Sequence, residues 1–483
     1  MSDSVSVRAK QLRVQKVISP VSVRRIRLSS PPCTVGITDG SERGEYVAQR
    51  HILQQTGRPH HVVNLMFQYY PDMEGWPTQG VNWRGFYRNG NLNEGDGYFP
   101  LVLEEGGRWG RLYLRQIEDV RSHGQEPQLT LTLHANTPDE WLIRLAKSLA
   151  PYAPMRVRIN HECNGDWFHF NHRWTYKEVG DFFIRFHDIL HAHAPGVRTV
   201  ACWNGPGDSS EEFPKQRGQL TDDQLAPMFR IADIVSFDQY ASLHYGWPEP
   251  DFDPQHPTRC FRVTPERWWQ LLESFHGHIC RVRGGETNVE IHEVNEDADL
   301  AGDAGQARWL SRFYTEATER RYPWLTNITF YQFRDRGGLG LERESVERTE
   351  AYEALPALAA YGAAIRHNHF AFKVESGKPG VDGKPLECRW SSSTDAGGYE
   401  YFFDVPADAR TAYLRLPPSS HLLVGINDLW QIKPRGIDAL PLAAELHAER
   451  LLVRVFAPPA DGRNNRAGSF VSAMDSDPVI QLR

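Results

Sequence analysis

Excess basic charge is missing from this chain. Lys and Arg total 54 against 61 Asp and Glu, so the formal net charge is −7 and the pI is near 6.3. Nucleic acids and anionic membranes demand a basic surface, and both are therefore excluded as partners. No run of residues approaches the ~20 apolar positions of a membrane helix. The opening Met1-Ser2-Asp3-Ser4 has no basic segment leading into an apolar stretch, so the chain reads as cytoplasmic, or as secreted with a leader already removed. Cysteine is scarce, at positions 33, 163, 202, 260, 280 and 388, and none forms a CxxC pair, which argues against a zinc site or a disulfide framework. Cys163, Cys202 and Cys280 are expected reduced, small and buried beside strand ends. The motifs G-x-S-x-G, G-x-x-x-x-G-K-[ST] and HExxH are all absent. His60-His61, His169 with His172, His191 with His193, and His367 with His369 lack metal-ligand spacing, so no catalytic metal and no cofactor are expected.

What the chain does have is length and alternation. Its 483 residues exceed what one core usually organises, which implies a larger unit over residues 31–365 and an accessory unit over 366–483. Eight strand-like runs can be read between residues 33 and 333: Cys33 to Thr38, His61 to Phe67, Leu129 to Leu133, Met155 to Asn160, Val197 to Trp203, Ile231 to Phe237, Ile279 to Gly284 and Asn327 to Gln332. Helical spacing separates several of them, over Arg111 to Arg121, Pro138 to Leu149, Tyr176 to Ala192 and Gln306 to Thr318. Thr137-Pro138-Asp139-Glu140 has the composition of a capped helix start. The alternation predicts an α/β fold of the TIM (β/α)8 barrel type, with a doubly wound sheet as the alternative. After Phe370 come short alternating runs, Tyr399 to Val405, Ala412 to Leu416, His421 to Gly425 and Leu451 to Phe456, which read as a smaller C-terminal β-sandwich. Residues 1–30 also alternate, at Val5 to Val7 and Val21 to Leu28, and either add strands to that sandwich or stay loose.

The segment Arg158-Ile159-Asn160-His161-Glu162-Cys163-Asn164-Gly165-Asp166-Trp167-Phe168 places a carboxylic acid at the end of an apolar strand. Parallel α/β folds put their chemistry at such strand ends. An ionised carboxylate is costly away from water unless paired, so a bare structural role for Glu162 would reduce to a salt bridge with Arg158. Glycoside hydrolysis needs one carboxyl to protonate the departing oxygen and a second to attack the anomeric carbon or activate water. The second acid is read as Glu286, at the end of Ile279-Cys280-Arg281-Val282-Arg283-Gly284-Gly285, with Glu290, Glu293 and Glu296 close behind. A shift of one strand end would move the assignment.

Arg158 to Phe168 resembles the acid/base motif of glycoside hydrolase family 26, the β-mannanase family, written roughly R-x-x-H-E-x-N-G-x-W-F. The resemblance spans about residues 33 to 365. It implies a retaining β-glycoside hydrolase with Glu162 as acid/base and Glu286 as nucleophile, acting on a mannan-like polysaccharide or oligosaccharide. Asp233-Ile234-Val235-Ser236-Phe237-Asp238-Gln239-Tyr240 is similar to the family's sixth strand, whose tyrosine touches the nucleophile, a role that falls to Tyr240. His134 and Trp203 match positions where the family lines its cleft. At the end of its last strand the family usually has a tryptophan, where this chain has Tyr331-Gln332-Phe333.

Arg158, His161 and Asn204 fall at expected strand ends and join the substrate-binding candidates. Asn164 and Trp167 would hold and stack the sugar at the cleavage point, while Tyr331 would floor a subsite. The loop from Tyr69 to Gly107 carries Trp76, Trp83, Phe86, Tyr87, Tyr98 and Phe99, and it either packs on the barrel or walls a sugar cleft. Tyr245 to Pro257 is weighed the same way. A carbohydrate-binding barrel without turnover, or a related hydrolase acting on another glycan, remains the alternative, and the oligomeric state is left open.

Overall fold

The computed structural model describes residues 16–29, 31–40, 46–73, 75–77, 96–165, 167–205, 220–244, 260–335, 337–344, 351–370, 373–379, 396–406, 412–418, 421–427, 429–442, 450–456 and 476–482. Val5 to Val7, the Trp83, Phe86 and Tyr87 portion of the first aromatic loop, and Tyr245 to Pro257 lie outside these residues.

Eight parallel strands close into a barrel: β1 (Thr34–Thr38), β2 (Val62–Tyr69), β3 (Glu126–Leu133), β4 (Met155–Ile159), β5 (Val197–Asn204), β6 (Ile234–Asp238), β7 (Val289–Glu293) and β8 (Leu325–Phe330). Pairing of β8 with β1 and of β1 with β2 completes the ring, and Phe99–Pro100 adds a short parallel strand beside β2. The doubly wound alternative is excluded, because an open sheet would leave two edges.

The connecting helices are α1 (Gln49–Thr56), α2 (Leu112–Ser122), α3 (Asp139–Leu149), α4 (Tyr176–His193), α5 (Leu220–Ile231), α6 (Pro265–Arg283), α7 (Asp303–Arg320) and α8 (Pro356–Ile365). Apolar stripes bind them to the strands, as Val179, Phe182, Phe183, Phe186 and Leu190 do for α4. At the head of α3, Thr137 does not cap as expected. Its hydroxyl donates to the His134 carbonyl, and Pro138 occupies the cap position without a side-chain bond.

The seventh strand lies ten residues later than expected, since Ile279 to Arg283 is the last turn of α6 rather than a strand. Cys280 and Val282 alternate with Arg281 and Arg283, which mimics a strand. Yet Trp268, Leu271, Leu272, Phe275 and Ile279 form one buried helical stripe behind a Thr264 cap and Pro265. Gly284 ends that helix at φ 75°, in the left-handed region where glycine is unstrained. The true β7, Val289-Glu290-Ile291-His292-Glu293, alternates equally well.

Polar groups fill the lower barrel. Arg156 pairs with Glu126 at 3.3 Å and with Glu290, which also meets His292 Nε2 at 2.8 Å. Burial would raise the Glu290 carboxyl, but Arg156 and His292 hold it down to about 2.

A β-sandwich follows the barrel. Its larger sheet runs Lys373–Pro379, Ser22–Ser29, Ala396–Asp404, Arg450–Phe456, Leu422–Ile426 and Leu429–Lys433 in spatial order. The smaller runs Val17–Ile18, Val479–Leu482, Ala412–Arg415 and Ala439–Pro441. Residues from both sheets share one apolar core that includes Tyr401, Leu414, Val424 and Ile480. The Ser22–Ser29 segment therefore lies inside the larger sheet, between two antiparallel partners. Leu53 of α1 joins the sandwich core, and His421 Nε2 lies 3.0 Å from the Ser122 carbonyl at the end of α2.

Candidate active site

At the end of β4 the backbone leaves the strand through Asn160 (φ 44°) and Glu162 (φ 50°), both in the left-handed region. Asn160 is clamped to the end of β3, accepting from Leu133 N at 2.8 Å and donating to Leu133 O at 3.1 Å. This turn aims the buried Glu162 side chain at the barrel mouth. Its Oε1 accepts from Asn204 Nδ2 at 2.9 Å and its Oε2 from Trp167 Nε1 at 2.8 Å. Asn164 holds Asn204 in place through Asn204 N to Asn164 Oδ1 (2.8 Å) and Asn164 Nδ2 to Asn204 O (3.0 Å).

The facing acid is Glu293, at the end of β7. Register with β6 slips between Ile291 and Glu293, and such an irregularity re-aims a side chain. Tyr240 donates its hydroxyl to Glu293 Oε2 at 2.6 Å, and Arg158 Nη2 reaches Oε1 at 2.5 Å. Arg158 also donates to Asp238 Oδ2 at 2.9 Å and to Thr130 Oγ1 at 2.8 Å. One carboxylate oxygen each from Glu162, Asp238 and Glu293 lies within 4.8 Å of the others.

Three acids this close cannot all be ionised cheaply. Burial first, and the charge of Glu293 second, push the Glu162 carboxyl up to about 8, against the pull of Asn204, Arg158 and Trp167. The same two causes hold the Asp238 carboxyl well above its usual range despite Arg158. Conversely, the guanidinium of Arg158, which burial would discharge, is kept charged by Asp238 and Glu293. His161 Nε2 sits 3.8 Å from Glu293 Oε1 and 3.3 Å from the Tyr98 hydroxyl, and burial with the nearby Arg158 drives its pKa well below normal, leaving a neutral ring.

Of the side chains expected from sequence to form the site, Glu162, Arg158, His161, Asn164, Trp167, Asn204 and Tyr240 converge here. Tyr331 sits edge-on to Tyr240 at 5.6 Å. Glu286 does not join them. It lies on the turn after α6 with its side chain 90% exposed, 3.9 Å from His276, because the strand expected to carry it is helix. Trp203 is likewise turned away. Its buried ring packs between Phe229 of α5 and His278 of α6, at 5.3 and 6.0 Å, since successive strand residues face opposite sides. His134 is buried in a separate group, its Nε2 3.0 Å from His169 Nδ1 and its Nδ1 3.2 Å from Asp72. Burial lowers its pKa to about 4. Cys280, expected to be buried, is only partly so, while Cys33, Cys163 and Cys202 are buried and unbridged.

Glu293 and Asp238 were missed as site members. Asp238 lay inside the Asp233 to Tyr240 motif, and Glu293 ends an alternating apolar run in His292-Glu293, the same His-Glu pair that closes β4 at His161-Glu162.

Among solved structures, a family 26 β-mannanase from Bacteroides ovatus is similar over 70% of this chain and 90% of its own, at 12% identity and TM-score 0.42. A family 39 glycoside hydrolase from Bacteroides cellulosilyticus matches over 89% and 81%, at 13% identity and TM-score 0.43. An endo-β-1,4-mannanase double mutant from Cellulomonas fimi matches over 92% and 93%, at 12% identity and TM-score 0.43. No protein-family profile and no curated protein matches the sequence. Among the described residues no helix is long and apolar enough to cross a membrane.

Proposed function

We propose that this protein is a retaining glycoside hydrolase acting on a polysaccharide or oligosaccharide, with Glu162 as acid/base and Glu293, in place of Glu286, as nucleophile. The observation that carries the reading is the approach of the Glu162 and Glu293 carboxylate oxygens to within 4.8 Å at the mouth of the barrel. Retaining enzymes hold their two carboxyl groups ~5–5.5 Å apart, whereas inverting ones leave ~6.5–9.5 Å for a water.

The electrostatics support distinct roles. A carboxyl pushed up to about 8 is protonated at neutral pH and can give its proton to the departing glycosidic oxygen. Glu293, held by Tyr240 and Arg158, attacks the anomeric carbon as a carboxylate, so the glycosidic C–O bond breaks as the Glu293–carbon bond forms. Esterification removes the charge on Glu293 that had raised Glu162. Glu162, now deprotonated, then takes a proton from water, which attacks the same carbon and releases Glu293. Net configuration is kept. A mannan-like polymer is the first substrate to test, on the family resemblance of the Arg158 to Phe168 segment.

The test is azide rescue across a panel of glycans. Glu293→Ala should lose turnover and regain it with azide, yielding a glycosyl azide of inverted configuration, while Glu162→Gln should lose turnover on natural polymer and remain folded. Glu286→Ala should behave as wild type. Rescue of Glu286→Ala but not of Glu293→Ala would overturn the assignment, and wild-type activity in Glu162→Gln would overturn the reaction.

A further inference from the structure

Three potential metal ligands meet at the opposite end of the barrel from the carboxylate pair. His187 and His191 lie four residues apart near the end of α4, and Asp233 sits in the turn between α5 and β6. A ring nitrogen from each histidine and a carboxylate oxygen of Asp233 all lie within 4.8 Å of one another. The two imidazole rings are 4.0 Å apart, centroid to centroid. Spacing of i and i+4 puts both rings on one helical face, the arrangement that helix-borne histidine metal sites use.

The surroundings orient these groups. Asp233 accepts from Thr199 N at 2.7 Å, from Thr199 Oγ1 at 3.0 Å and meets His191 Nε2 at 2.9 Å. Because the Thr199 hydroxyl gives its proton to Asp233, it must accept from His187 Nδ1, 2.8 Å away. That tautomer leaves the lone pair of His187 on Nε2. Metal-bound imidazoles are commonly fixed in this way, by a hydrogen bond at the other nitrogen. The His191 side chain is 46% exposed and that of Asp233 24%, so an ion can reach the group from solvent. Arg198 and Arg283 act on Asp233 through space, while their hydrogen bonds go to Glu126 at 2.6 Å and to the Phe229 and Ala232 carbonyls.

We infer that His187, His191 and Asp233 form a binding site for a divalent transition metal of the zinc type. Two imidazoles and one carboxylate suit a borderline ion that accepts tetrahedral coordination, and they suit calcium or magnesium poorly. Binding replaces the His191–Asp233 hydrogen bond with two metal bonds and ties α4 to the β5 and β6 strand starts. This is the barrel face where fixed structure serves stability rather than chemistry. The site is independent of the carboxylate pair and stands or falls apart from it.

The test uses the full chain, stripped with EDTA and titrated with ZnCl2 by calorimetry. A second trio, His276, Cys280 and Glu286, also lies within 4.8 Å, so Cys280→Ser serves as the control. We expect one tight zinc ion per chain, lost or weakened at least about tenfold in His191→Ala and kept in Cys280→Ser. Zinc at about a hundred times its Kd should raise the Tm of wild type by about 3 °C and leave that of His191→Ala unmoved. Circular dichroism checks that each variant is folded. No zinc binding by wild type, unchanged binding in His191→Ala, or loss confined to Cys280→Ser would each overturn the inference.

Discussion

Glu162 combines two costs that an ordinary strand-end residue would avoid: a non-glycine backbone at φ 50° and a buried carboxyl held against a second acid. Sparsely populated backbone of this kind costs of order 1–3 kcal/mol and collects at functional sites. The raised pKa has two consequences. On the role proposed for Glu162, loss of its proton should make kcat/KM fall as pH rises past about 8, a limb read directly from the pH profile. The folded-state pKa lies above the ordinary 4.5, so the stabilisation is complete below that value and is lost as pH rises through about 8. Glu162→Gln cannot ionise, and its Tm advantage over wild type should therefore be larger at pH 9 than at pH 5. Arg158 is the counter-charge for Asp238 and Glu293, fully buried beside both. Its replacement by Met removes the buried counter-charge these two acids share, so urea unfolding should show a loss of about 3–5 kcal/mol, with turnover abolished. Lys at this position keeps the charge but not the two-armed reach, and should recover only part of the stability.

The β4-to-α4 connection carries most of the acid's surroundings, and the start of α4 anchors it. Thr175 caps that helix in a reciprocal box with Glu178, and Tyr176 donates its hydroxyl to the carbonyls of Asn164 and Gly165. Thr175→Ala should cost about 1 kcal/mol in chemical denaturation. Because Tyr176 keeps its own contacts, kcat/KM should change less than stability does. The α6-to-β7 boundary shows why one carboxylate was misplaced. Ile279 to Arg283 satisfies a strand's two-residue alternation and a helix's longer stripe at once, and five residues are too few to separate them. Reading back to Trp268 and the Thr264-Pro265 start resolves it, since the stripe then spans a whole helix.

Across the whole molecule the chain's first strands complete its last domain. Ser22–Ser29 pairs with Lys373–Pro379 on one side and Ala396–Asp404 on the other, across the entire barrel sequence. Deleting residues 1–30 removes an internal strand and strips two neighbours of their ladder bonds. Limited proteolysis should then cut the sandwich well before the barrel, whereas the intact protein should resist in both. Equal resistance in the shortened protein would mean that the sheet closes without this strand.

Local pattern alone determined a good deal: the barrel's alternation of strands and helices, the sandwich strands near Tyr399 and Leu451, and the Arg158 to Phe168 segment with its acid. These are properties of a few adjacent residues, where side-chain period and turn chemistry are written directly in the order of amino acids. Tertiary structure decided which acid faces Glu162, which face of β5 Trp203 occupies, and where Ser22–Ser29 pairs. Each of these depends on residues far apart in the chain. A carboxylate's partner is chosen by strand register and by a local slip at Glu293, and Ser22–Ser29 finds its two neighbours among residues more than 340 positions away, which no local pattern encodes.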